Sequence, residues 1–160
     1  MSLPQASPKT IKTMKRILLI EDDKKIAAAL CIRLQNAGYE VMTALDGLKG
    51  LAAAAQTRPD LVISDIWLPG TVGFMVAERL KNFGLDGVPV IFITASKKKD
   101  LWKLAQEVGA AGFFEKPFDT EKLLRAVARC LEQPPSLEGE AAHSDRLAGA
   151  DFTQGGKEYS

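Results

Sequence analysis

Five strand-length apolar runs alternate with five stretches of helical periodicity, and this alternation most limits what the chain can fold into. The runs lie at residues 16–20, 39–43, 61–64, 88–94 and 112–115, and the helical stretches at 23–37, 48–56, 74–83, 99–108 and 119–131. The first run, R-I-L-L-I, is apolar on successive residues, the mark of a strand buried on both faces. In the stretch that follows, Ile26, Leu30 and Leu34 repeat along one helix face and Gly38 ends it. The Ala-rich second helix stops at Arg58 and Pro59. Pro89 stands near the start of its run, where a strand tolerates a proline. The last helix carries acids early and Arg125 and Arg129 late, matching its macrodipole. Repeated β-α steps with right-handed crossovers predict one doubly wound α/β domain, a five-stranded parallel sheet with helices on both faces.

The 160 residues suit one such domain. We assign it to residues 15–132, with a polar leader at 1–14 and a disordered tail at 133–160 that opens on Pro134 and Pro135. No apolar stretch approaches the length of a bilayer span, and the first residues have no signal-peptide core, so a cytoplasmic protein with no membrane partner is expected. A net charge of +1 and the lack of a helix-turn-helix or winged-helix pattern lead us to expect no direct nucleic-acid binding. Cys31 and Cys130 fall inside helices without a C-x-x-C motif and read as small reduced core residues. His143 is the only histidine and lies in the tail, which argues against a His-based zinc site or a Ser-His-Asp triad.

The chemistry gathers at the strand ends. Glu21 and Asp22 follow the first run, Asp65 the third, Thr94 ends the fourth, and Lys116 follows the fifth. Parallel strands present these ends to one crevice, where open α/β sheets bind ligands. At about 4 Å and an effective dielectric near 20, two like charges cost roughly 4 kcal/mol, so a carboxylate cluster calls for a cation. Consecutive acids after a strand suit a hard ion such as Mg²⁺, although a helix cap is an equal use for them and Asp23 fits that role. Asp65 is then a candidate nucleophile toward phosphorus. The carbonyl of Trp67 is a further candidate metal ligand. The Thr94 hydroxyl and the backbone N–H of Ala95 are candidate donors to a phosphoryl oxygen. Lys116 supplies a compact positive charge, and Pro117 after it suits a cis bond.

With E-D-D, D-I-W-L-P-G, I-T-A and K-P-F in this order, each at a strand end, the chain resembles the receiver domain of bacterial two-component response regulators. The resemblance implies a flavodoxin-like strand order 2-1-3-4-5. It implies that Asp65 accepts a phosphoryl group from the phosphohistidine of a sensor histidine kinase or phosphotransfer protein. Glu21, Asp22, Asp65 and the Trp67 carbonyl would hold Mg²⁺. Lys116 would pair with Asp65 at rest and with the phosphoryl group afterwards. Thr94 would swing in to bind that group, and Phe113 matches an aromatic position whose rotamer follows phosphorylation. The sequence departs from the family where Val72 stands for the usual acid before Gly73, and where Ala111 and Gly112 replace acids that bridge dimers in one class of transcription factors. Trp67 is bulky for its place and predicts shielding of an acyl phosphate from water.

For a downstream protein partner, the candidate surface is Trp102, placed off a buried stripe of Leu101, Leu104, Ala105 and Val108, together with Lys122, Arg125 and Arg129 opposite Leu124, Val127 and Leu131. A solvated basic face with a half-packed Trp is the plainer reading. Lys97, Lys98 and Lys99 read as a solvated start to a helix. A phosphoacceptor switch with no turnover of an external substrate is the expected function. The domain can also be one cut from a hybrid kinase or larger regulator, and a pseudo-receiver that only binds partners is the further alternative, against which the intact carboxylate cluster argues. A magnesium phosphatase with an aspartyl nucleophile is disfavoured because Trp67 occupies the place of its second Asp. A dinucleotide-binding protein is disfavoured because no G-x-G-x-x-G follows the first strand.

Overall fold

A computed structural model describes residues 13–132, so the expected tail, most of the leader and His143 lie outside the described residues. The ten elements alternate as β1 (Arg16–Ile20), α1 (Lys24–Asn36), β2 (Glu40–Ala44), α2 (Gly47–Thr57), β3 (Leu61–Asp65), α3 (Gly73–Leu80), β4 (Val90–Thr94), α4 (Leu101–Glu107), β5 (Gly112–Glu115) and α5 (Thr120–Glu132). The strands form one parallel sheet in the order β2-β1-β3-β4-β5, as the resemblance implies. Pleating sends alternate residues to opposite faces. Ile17 and Leu19 of β1, with Ile63, Ile93 and Phe114, pack against Leu30 and Leu34 of α1 and Leu123 and Val127 of α5. Leu18, Ile20, Val62, Phe92 and Phe113 pack on the other face against Leu51, Val76, Leu80, Leu101 and Ala105 of α2, α3 and α4. Burial on both faces explains why the central strands read as unbroken apolar runs.

Local chemistry sets the boundaries. The Asp23 carboxylate accepts the N–H groups of Lys25 and Ile26 at 2.9 and 3.1 Å and caps α1, and Gly38 follows the helix with φ +98°. Arg58 takes a left-handed conformation, φ 47°, after α2. Its guanidinium donates to the carbonyls of Phe83 and Gly84, tying that helix end to the end of the α3 segment. The expected fourth strand starts two residues late because Pro89 has no N–H; its carbonyl still accepts from Val62 at 3.0 Å. The expected helix at 74–83 divides into α3 and a 3-10 turn, Lys81–Phe83. The loop after Asp65 folds into a small ribbon, with Trp67–Leu68 antiparallel to Thr71–Val72.

Two helix faces differ from expectation. In α4, Leu101 and Ala105 are buried, but Leu104 is 42% exposed, while Trp102 is half-buried and packs on the core. Turning the helix this way removes more apolar area from water, because an indole carries more of it than Leu. Trp102 is therefore part of the hydrophobic layer and only partly available as an exposed anchor. In α5 the buried stripe is Leu123, Ala126 and Val127, with Leu124 and Leu131 half-buried at its margins. Lys122 is half-buried; Arg125 and Arg129 are exposed.

Gly73, the first residue of α3, fixes the floor of the strand-end crevice. Its N–H donates to the Ile66 carbonyl at 2.7 Å, and a Cβ there would collide with the backbone carbonyl oxygen of Asp65. Gly73→Ala is expected to lower stability by roughly 2 kcal/mol, the scale of overpacking a tight site. Urea unfolding checks this, and an unchanged midpoint would mean the α3 turn relaxes freely.

Candidate functional site

The C-terminal ends of β1, β3, β4 and β5 deliver the chemistry-bearing residues to one edge of the sheet. Glu21 leaves β1 fully buried, held by its N–H to the Ala44 carbonyl at 3.0 Å. Asp22, next along, is exposed. Asp65 ends β3 and is 6% exposed. Ligand oxygens of these three carboxylates all lie within 4.8 Å of one another. Parallel register sets Asp65 beside Ile93 and Thr94 beside Glu115, so Thr94 sits one step past Asp65 on the neighbouring strand.

One ammonium joins the two buried acids. Lys116 Nζ donates to Glu21 Oε2 at 2.6 Å and to Asp65 Oδ2 at 2.7 Å, with its own side chain only 13% exposed. The remaining oxygens are also used: Glu21 Oε1 accepts the Asp23 N–H at 3.1 Å and Asp65 Oδ1 the Trp67 N–H at 3.0 Å. Lys116 is fixed through its backbone, its N–H donating to the Thr94 carbonyl at 2.7 Å, and its bond to Pro117 is cis, as Pro117 had led us to expect. Burial pushes the Glu21 carboxyl above its ordinary value; hydrogen bonds from Lys116 and the Asp23 N–H offset this only in part. For Lys116, burial alone would depress the ammonium, but hydrogen bonds to Asp65 and Glu21 outweigh it and raise its value.

The flanking groups divide by exposure. Thr94 is fully buried, and its Oγ1 accepts the Ser96 N–H at 3.1 Å. Ala95, directly after it, is exposed. Phe113 is buried in the core beside Leu101 and Ala105. Trp67 stands 46% exposed at the crevice, with Lys98 Nζ 5.0 Å from its ring centroid. Lys97 Nζ reaches Glu115 Oε2 at 3.2 Å and the Lys116 carbonyl at 3.1 Å. Lys97 and Lys98 are thus engaged, where the lysine run alone reads as solvated. Their partners lie on other strand ends, so no local pattern in the sequence marks them. Trp102, Lys122, Arg125 and Arg129 lie on α4 and α5 and are not part of this cluster.

The family model for the response regulator receiver domain matches residues 17–128. The chain belongs to the response regulator receiver family. Among curated relatives of this receiver, the DNA-binding dual master transcriptional regulator RpaA of Synechocystis sp. is 38% identical over 135 residues, covering 84% of this chain and 56% of its own. The phosphate regulon transcriptional regulatory protein PhoB of Pseudomonas aeruginosa is 33% identical over 128 residues, covering 79% and 56%. The chain thus spans about half the length of these relatives. Among solved structures, the chemotaxis response regulator CheY4 of Vibrio cholerae aligns with TM-score 0.67 at 35% identity, over 74% of this chain and all of its own. These relatives overturn the expectation of no direct nucleic-acid binding, because the Synechocystis protein is described as DNA-binding. Low net charge and the lack of a helix-turn-helix pattern speak only for the sequence read here, and the relatives extend well beyond the aligned part. Among the described residues, no helix of the receiver is long and apolar enough to cross a membrane.

Because Lys116 compensates two buried acids, Lys116→Met is expected to lower stability by roughly 3 kcal/mol near neutral pH, the scale for removing one partner of a buried pair. The loss should shrink as pH falls, since protonation neutralises the stranded carboxylates. In the parent, the ammonium has a raised folded value, so its contribution is fully present below the ordinary Lys value and is lost as pH rises through the raised one. Denaturant melts across pH check both signs; a variant whose deficit grows in acid would contradict the assignment.

Proposed function

We propose that Asp65 is the phosphoacceptor of a Mg²⁺-dependent signalling switch. The observation that carries this reading is the Lys116 ammonium spanning Glu21 and Asp65, with Asp22 exposed beside them. A buried aspartate at a strand end, neutralised by an ammonium and lying next to further acids, suits an oxygen nucleophile that must later carry added negative charge. The donor set of three carboxylates fits a hard divalent ion, which prefers one or two carboxylates with waters completing its shell. Glu21, Asp22, Asp65 and the Trp67 carbonyl are the proposed ligands. When bound, the ion neutralises charge on the transferring phosphoryl group.

In the proposed reaction an Asp65 carboxylate oxygen forms a bond to phosphorus as the bond to the donor histidine nitrogen breaks, and the imidazole leaves with the electron pair and takes up a proton. Lys116 moves its hydrogen bond from the carboxylate to a phosphoryl oxygen. The Thr94 hydroxyl and the Ala95 N–H donate to the other oxygens, and the shift at Thr94 is relayed to Phe113 and the face formed by α4, β5 and α5. Trp102, Lys122, Arg125 and Arg129 lie on α4 and α5 and are the proposed contacts for a downstream partner. The donor is a sensor histidine kinase or phosphotransfer protein, and the names of the relatives point to transcription as the process served. No turnover of an external substrate is expected.

Incubation with Mg²⁺ and acetyl phosphate should place one labile phosphoryl group on the protein, detected as a mass adduct on Asp65. Asp65→Asn should take up none, and equal labelling of that variant would sink the proposal. Asp22→Asn should weaken Mg²⁺ binding, read through Trp67 fluorescence, by about tenfold, the lower scale for loss of a metal-site group. Trp67→Asn should shorten the phosphoform's lifetime by opening the acyl phosphate to water. An unchanged decay rate would show that the indole shields nothing.

A further inference from the structure

We propose that Lys97 and Lys98 are positioning residues that clasp the β4–α4 loop across the mouth of the acidic site, Lys97 against the Lys116 wall and Lys98 against the Trp67 wall, and so govern how readily water reaches Asp65. The proposal rests on the phosphoacceptor reading of Asp65.

The loop is wound tightly before the clasp begins. Thr94 Oγ1 accepts the Ser96 N–H at 3.1 Å, and Ser96 Oγ accepts the Lys98 N–H at 3.4 Å. These turns project adjacent lysines to opposite sides. Lys97 Nζ lies 3.2 Å from Glu115 Oε2 and 3.1 Å from the carbonyl of Lys116, the residue whose own Nζ bridges Glu21 and Asp65. Glu115 is the better buried member of that pair, with a side chain 12% exposed against 60% for Lys97, so the contact tethers the loop to a fixed point on β5. On the other side, Lys98 Nζ sits 5.0 Å from the centroid of the Trp67 ring, within cation–π range. The Trp67 backbone N–H donates to Asp65 Oδ1 at 3.0 Å and fixes the main chain there, while the ammonium on the ring restrains an indole two residues from the nucleophile. One loop thus grips both walls of the site, and the residue at its root is Thr94. Either lysine acts through a neighbour: Lys98 through the indole, Lys97 through the segment that carries Lys116.

The test uses the full chain with Trp102→Phe, so that Trp67 is the sole indole. Lys98→Met keeps the stem and removes the charge, and Lys98→Arg keeps a cation for the ring. In Lys98→Met the indole should become more accessible to acrylamide quenching, and the Asp65 acyl phosphate should hydrolyse about threefold faster, the scale of an exposed cation–π contact. Lys98→Arg should restore both. Lys97→Met should also hasten hydrolysis while leaving quenching of Trp67 nearer the parent value. Parent-like quenching and decay in Lys98→Met would overturn the clasp, as would a change that Lys98→Arg fails to reverse. If the chain with Trp102 intact takes no label from acetyl phosphate with Mg²⁺, the phosphoacceptor reading fails first; the quenching comparison in the Trp102→Phe background still decides whether Lys98 restrains Trp67.

Discussion

The ammonium of Lys116 held between the carboxylates of Glu21 and Asp65 is the interaction on which the rest of the site depends. Glu21 is fully buried and Asp65 nearly so, and two acids that close would repel strongly in a poorly solvated crevice. A single cation within 2.7 Å of both removes that cost and fixes the geometry at once. Burial still outweighs the help Glu21 receives from Lys116 and holds its carboxyl above the ordinary value.

The sheet makes this arrangement possible. In the order β2-β1-β3-β4-β5, Glu21 and Asp65 leave neighbouring strands, whereas Lys116 follows a strand two places from β3. A long, flexible cationic side chain spans that gap, its Nζ reaching both carboxylates. The backbone bond from the Lys116 N–H to the Thr94 carbonyl keeps the base of the stem in place. Thr94 thus stands among the charged groups and is tied to both walls of the crevice through its own loop. On the far side, Gly73 lets α3 begin against the carbonyl of Asp65, where any side chain would push the aspartate out of line.

The two hydrophobic layers set the limits of movement around the site. Phe92 packs edge-on against Phe74, and Phe113 lies in the same layer beneath α4. This face carries a short helix, a half-buried indole and an exposed Leu104. Membership of the receiver family, with relatives about twice the length of the match, makes the readout of such a face a question about the remaining part of those proteins as much as about this domain.

Most of the fold was legible in the sequence because unbroken apolar runs and capped helices are local signals. R-I-L-L-I needs no partner to declare a strand buried on both faces, and Asp23 and Gly38 punctuate α1 by their own chemistry. That Glu21, Asp22, Asp65, Thr94 and Lys116 come to one edge of the sheet was readable too, since parallel strand ends must share an edge. The resemblance added the strand order. What only the tertiary structure decided was everything set by contact between distant segments. The turn of α4 that packs Trp102 half-buried on the core and exposes Leu104 was one such choice, made by the area available on the core. The bridge from Lys116 to Glu21 as well as Asp65 was another, because both carboxylates lie within its reach. The grip of Lys97 and Lys98 on opposite walls was a third. A run of lysines looks solvated in one dimension; where each ammonium comes to rest depends on which acid, carbonyl or ring the folded backbone brings within a few ångströms.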